Sequence, residues 1–151
     1  MSTILTMLES TIKEAMKARD AARLETVRGI KAAVKNKEIE LIRPLTEVEF
    51  YGLINTLSKQ RRDSIEQFKN GGRTDLADKE AIELTILETF LPQALTEEEV
   101  NNLISESILS SKATGPKDMG VVMKALKEPT AGRFDGKALS DMVKARLQSL
   151  A

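Results

Sequence analysis

Hydrophobic residues recur along this chain at three- and four-residue intervals, and no stretch shows the strict alternation of a half-buried strand. Ile4, Leu5, Leu8, Ile12, Ala15 and Met16 fall on one face of a first helix. Asp20 has the position of an N-cap for a second, with Leu24, Val27, Ile30 or Lys31, and Val34 along its buried side and Pro44 as its stop. Thr46 and Glu49 have capping-box spacing, in which hydroxyl and carboxylate satisfy each other's free N–H groups. The third helix carries Phe50, Ile54, Leu57, Ile65 and Phe68 to a glycine stop at Asn70-Gly71-Gly72. Thr74 opens a fourth, with Ile82, Leu84, Leu87 and Leu91 apolar and Pro92 at its end.

Thr96 and Glu99 form a second capping box, starting a fifth helix with Val100, Leu103, Ile104 and Ile108. Gly115-Pro116 suits an N-cap followed by the first helical position, where the missing proline N–H costs nothing. The sixth helix then presents Met119, Val122, Met123 and Leu126 until Pro129, and the seventh begins after Asp135 and buries Leu139, Met142, Val143 and Leu150. The pattern predicts an all-α, multihelical chain. Because LPQAL stops one helix just before a fresh cap, it separates a four-helix part, 1–95, from a three-helix part, 96–151.

Composition narrows the chemistry. Of the 151 residues 41% are hydrophobic but only 3% aromatic, so the core is aliphatic, as suits helix packing. There is no Cys and no His, which removes disulfides, thiolate nucleophiles, Cys/His zinc sites and any imidazole base. No catalytic residue, cofactor or metal ligand is assigned. No apolar run approaches the roughly 20 residues that span a bilayer, and the N-terminus lacks signal-peptide organisation. The expectation is a soluble, cytoplasmic protein.

Lys+Arg and Asp+Glu are 23 each, but the zero total hides segregation. Residues 96–112 hold one basic and four acidic side chains, and residues 113–151 hold seven and four. Within the basic part lies GRFDGKALS, residues 132–140. It is not a P-loop: the glycines are one residue too close, Ala138 replaces the Mg²⁺-binding hydroxyl, and no strand precedes it. Lys137 beside a helix N-terminus, with Gly132 and Gly136 giving clearance, fits a phosphate contact. A solvated helix–loop–helix fits the same residues. In KQRRDSIEQF, Arg61 and Arg62 fit an ion-pair network between helices as well as a binding site, and Glu66 is one helical turn from Arg62.

Three segments carry a resemblance: RLETVRGIKAAVKNKEIE, then KQRRDSIEQFKNGGRTDLADKEAIELTILETFLPQALTEEEV, then KDMGVVMKALK with GRFDGKALSDMVKARL. In order and spacing they resemble the YqeY family, stand-alone bacterial relatives of the tail domain of GatB, a subunit of the tRNA-dependent amidotransferase. The resemblance implies two helical subdomains and a non-catalytic accessory module whose partner is the outer corner of tRNA. The matching positions are Lys117, Asp118, Met119, Gly120, Gly132, Arg133, Asp135, Gly136 and Lys137. The expected nucleic-acid-binding set is Lys117, Lys124, Gly132, Arg133, Gly136, Lys137 and Lys144, with Asp135 as a cap. The alternative is a protein-interaction domain docking on an aminoacyl-tRNA synthetase or amidotransferase.

Overall fold

The computed structural model describes residues 3–150. The chain is all-helical, with seven helices, 81% helix and no strand among the described residues. It divides into two compact units, Met1–Leu91 and Pro92–Ala151.

The N-terminal unit holds α1 (Thr3–Lys17), α2 (Ala21–Leu41), α3 (Glu47–Asn70) and α4 (Thr74–Glu88). Short turns pair α1 with α2 and α3 with α4, and α2 also packs on α3 and α4. Leu8, Val27, Ile30, Val34, Ile54 and Leu87 are almost fully buried at the centre. The Phe50 and Phe90 rings meet edge to face at 6.3 Å. Asp20 caps α2 by accepting the Arg23 N–H at 3.1 Å. Thr46 and Glu49 close a complete capping box on α3, and Glu49 also takes Arg43 through both oxygens at 2.7 and 2.9 Å.

Two helix stops differ in kind. Gly72 (φ +74°) ends α3 in the left-handed region where glycine is at ease. Ile42 (φ +58°) does the same after α2, although a β-branched side chain there costs about 1–2 kcal/mol. Three expectations shift. Met16 and Ile82 are each 54% exposed, and α4 ends at Glu88, before Pro92. The phase of α4 is set by Ala77 and Leu87 facing the core, which brings Glu83 inward and turns Ile82 to solvent.

The C-terminal unit contains α5 (Glu97–Ser111), a 3₁₀ turn (Pro116–Asp118), α6 (Met119–Thr130) and α7 (Gly136–Leu150). Val100, Ile104, Val122, Leu126, Val143 and Leu147 form its core, closed by Leu95 and Leu139. Leu147 is fully buried, whereas Leu150, three residues further along the same face, is the last residue of α7 and is 45% exposed. The Thr96 cap accepts the Glu99 N–H at 3.1 Å, but its hydroxyl goes to the Glu99 carboxylate, so the capping box is half made. Gly115-Pro116 starts the 3₁₀ turn, and α6 follows from Met119. That helix continues past Pro129 to Thr130, whose hydroxyl donates to the Leu126 carbonyl at 2.7 Å. One absent N–H in a last turn shortens a helix less than the sequence rule assumes.

Candidate nucleic-acid interface

The connection from α6 to α7 is built by backbone geometry before any charge is considered. Gly132 takes φ +68° and reverses the chain. The Arg133 N–H then donates to the Thr130 carbonyl at 3.0 Å, and the Arg133 carbonyl accepts the Leu95 N–H at 2.7 Å. Its guanidinium Nε donates to the Gln93 carbonyl at 2.9 Å, so both main chain and side chain tie the loop to the segment before α5. Phe134 packs against the core. Asp135 caps α7, its carboxylate accepting the Ala138 N–H at 2.9 Å and its carbonyl the Leu139 N–H at 3.0 Å.

Gly136 stands exposed at the first turn of α7, and a Cβ there would meet nothing within 4 Å. Lys137 follows it, exposed, with the Asp135 carboxylate already holding one of the helix-start N–H groups. The negative cap offsets the positive helix end, so the cation at Lys137 has more reach toward an anion than the helix terminus itself.

The matching segment before α6 is equally structural. The Asp118 carboxylate accepts the Thr114 N–H at 2.8 Å, and that bond is the main cause of its lowered pKa. Met119 lies half-buried on the core, and Gly120 faces open space. Lys117, Lys124, Lys127, Lys137 and Lys144 are all exposed. None forms an ion pair among the described residues. Lys124 and Lys127 share the solvent face of α6; Lys137 and Lys144 are stacked on that of α7, two turns and roughly 10 Å apart. Arg146 is different, since it donates to Ser105 at 2.8 Å and to Asn101 at 3.3 Å on α5.

A shallow groove of about 340 Å³ runs beside Leu95, Asn102, Leu103 and Pro129. Arg133 lines it together with Glu99 and Glu106. Sequence spacing missed this, along with the Gln93 contact, because both depend on segments about 30 to 40 residues away meeting the loop. In the N-terminal unit the RR pair is an interhelical network. Arg61 reaches Glu80 at 3.1 Å and Glu83 at 3.2 Å, and Arg62 reaches Glu88 at 3.6 Å, so the partner lies on α4 rather than at Glu66. The Glu83 side chain is 7% exposed, and its desolvation raises its pKa against the pull of Arg61.

The profile of the family described as Yqey-like protein matches residues 5–147. The chain belongs to that family. Curated relatives named "Altered inheritance of mitochondria protein 41, mitochondrial" are similar to it. The one from Lachancea thermotolerans is 33% identical, covering 93% of this chain and 76% of the relative. The one from Kluyveromyces lactis is 35% identical over 91% and 72%, and that from Pyrenophora tritici-repentis is 30% identical over 87% and 74%.

These names correct two expectations, that the protein is bacterial and that it is cytoplasmic: the relatives are fungal and named mitochondrial. The cytoplasmic reading rested on two hydropathy signs, the pattern of a signal peptide and an apolar run of membrane length. Neither bears on mitochondrial import, whose transit peptides are amphipathic and Arg-rich rather than apolar. Among the described residues no helix is long and apolar enough to cross a membrane.

Proposed function

We propose that this YqeY-family chain is a non-catalytic, tRNA-binding accessory module whose C-terminal unit supplies the RNA contacts. The observation that carries the reading is the set of exposed, ion-pair-free cations around the GRFDGK loop: Lys124 and Lys127 on α6, Lys137 and Lys144 on α7, and Lys117 in the 3₁₀ turn before α6. Side chains of this kind neutralise phosphates without reading bases, so selectivity falls to the shape of the folded RNA. Gly132, Arg133 and Asp135 hold the loop and α7 in place, Gly136 leaves open space at the helix start, and within the motif Lys137 is the side chain most available to a phosphate.

The test uses total tRNA and the full chain, titrated by anisotropy at several salt concentrations. Replacing Lys124, Lys137 and Lys144 together with Gln should weaken binding and lower the salt slope by about 3, roughly one per lost phosphate contact. Helicity should be unchanged, since all three side chains are exposed. Arg133 is left in place, because removing it would also loosen the loop. Parent-like binding by the triple variant, or no binding by the parent at low salt, overturns the proposal.

A further inference from the structure

Helix α2 has two faces with apolar character, and only one of them is covered within its unit. Val27, Ile30 and Val34 point into the core. On the other side Arg28, Ala32, Lys35 and Ile39 follow one another at i, i+4, i+7 and i+11, and all are exposed. Ile39 is 75% exposed, and Ile42, just past the helix, is 90% exposed. Single exposed isoleucines are ordinary, but here two of them end one stripe. Gly29 lies beside the stripe, and a Cβ added there would meet nothing within 4 Å. Packing within the chain therefore gives no reason for a helix-weakening glycine at mid-helix.

The charges on this helix are sorted in the same way. Lys31 is paired with Glu9 at 3.1 Å and Lys37 with Glu40 at 3.4 Å. Arg28 and Lys35, on the stripe itself, have no ion pair among the described residues. Glu25, one turn before Arg28, is directed to Lys79 at 3.9 Å. The exposed face thus combines small positions, two cations seven residues apart that are outside any close ion pair among the described residues, and a terminal pair of isoleucines.

We infer that the outer face of α2 docks an acidic amphipathic helix of a partner protein. Apolar side chains of that helix seat over Gly29 and Ala32 and against Ile39 and Ile42, and its flanking carboxylates pair with Arg28 and Lys35. A phosphate backbone would satisfy the two cations and leave both isoleucines in water. A second copy of the face would bring like cations together. The inference is independent of the RNA-binding reading, which concerns the other unit.

The probe is a synthetic helical peptide three heptads long, with Leu at the a and d positions and Glu beside them, added to the isotope-labelled full chain. Amide signals from Arg28 to Ile42 should shift on titration, and the same peptide with Lys in place of Glu should leave them unmoved. Arg28→Glu with Lys35→Glu should weaken the interaction at least about tenfold, as reversing two complementary charges does. Ile39→Ser should weaken it without loss of helicity. No shift on this face at millimolar peptide, or parent-like affinity in the charge-reversed variant, overturns the inference. So does a concentration-dependent dimer that Ile39→Ser abolishes, which would assign the face to a second copy. Shifts of the same amides with total tRNA but not with the Glu peptide would assign it to RNA.

Discussion

The two units carry balanced charge in the same way, fifteen cations and fifteen anions before residue 92 and eight of each after it, yet they place those charges differently. In the N-terminal unit carboxylates lie opposite guanidinium and ammonium groups on neighbouring helices or turns, as in Glu9–Lys31, Arg43–Glu49 and Arg61–Glu80. In the C-terminal unit several acids serve the backbone. Asp118 closes the turn before α6, Asp135 caps α7, and Glu97 to Glu99 occupy the first turn of α5. All ion pairs among the described residues accordingly fall in the N-terminal unit, and lysines of the other are left with solvent. Net charge therefore says little about binding; what the opposite charges are occupied with says more.

The largest test of this contrast is removal of a cation from each unit. Arg61→Ala leaves Glu83 buried without its main compensating charge, and should lower stability by about 2–4 kcal/mol, reduced somewhat by the partial exposure of the arginine. Lys124→Ala should change stability by less than about 0.5 kcal/mol, as an unpaired surface position does. Urea unfolding of both variants decides it, and equal effects would erase the difference between the units.

A smaller effect is expected from the left-handed positions. Gly132→Ala should destabilise by about 1–2 kcal/mol, because a Cβ is strained at φ +68°. Ile42→Gly should instead stabilise by about 0.5–1 kcal/mol, the relief of strain exceeding the added freedom of the unfolded chain. Thermal unfolding gives both signs. A destabilised Ile42→Gly would mean that the side chain, although 90% exposed, contributes to packing.

The smallest effects are in the carboxyl titrations. Glu49, held by Arg43 and the Thr46 N–H, is pulled down to about 2, so the stability it adds is complete above its unfolded pKa and is lost below that, as pH falls through the folded value. Asp118 is also lowered and loses its contribution in the same direction, but through a backbone N–H. Glu83 has the opposite sign: its folded pKa is raised, so the chain gains relative stability as pH falls through it, and Glu83→Gln should abolish that gain. Raising salt to about 0.5 M should move Glu49 back toward an ordinary carboxylate more than Asp118, since screening weakens exposed ion pairs more than hydrogen bonds to the main chain. Side-chain NMR titration at two salt concentrations measures the difference.

Much of the helical order was legible because its signals are local. Asp20, the Thr46–Glu49 box, the glycine stop after Asn70 and the Asp135 cap each act within four residues, where chain connectivity holds the partners close. Helix phase was legible only where apolar residues repeat unambiguously. It failed at Ile82 against Glu83, where an arginine on another helix makes the buried carboxylate tolerable. The motif around Gly132 to Lys137 was visible as a motif, but the division of labour inside it was not. Arg133 and Lys137 look alike in a list of cations, and one is tied to Gln93 while the other is in water.

What the sequence alone determined is therefore the all-helical class, most helix starts, the segregation of charge along the chain and the exclusion of Cys and His chemistry. These follow from residue type and from spacing under about one helical turn, which covalent geometry converts directly into proximity. Tertiary structure alone decided which charges are paired, which isoleucines of α2 are left uncovered and which cations the loop uses to hold itself. Those outcomes depend on residues tens of positions apart meeting across packed helices. Their energies come from desolvation and alignment, and neither exists until the fold has brought the partners together.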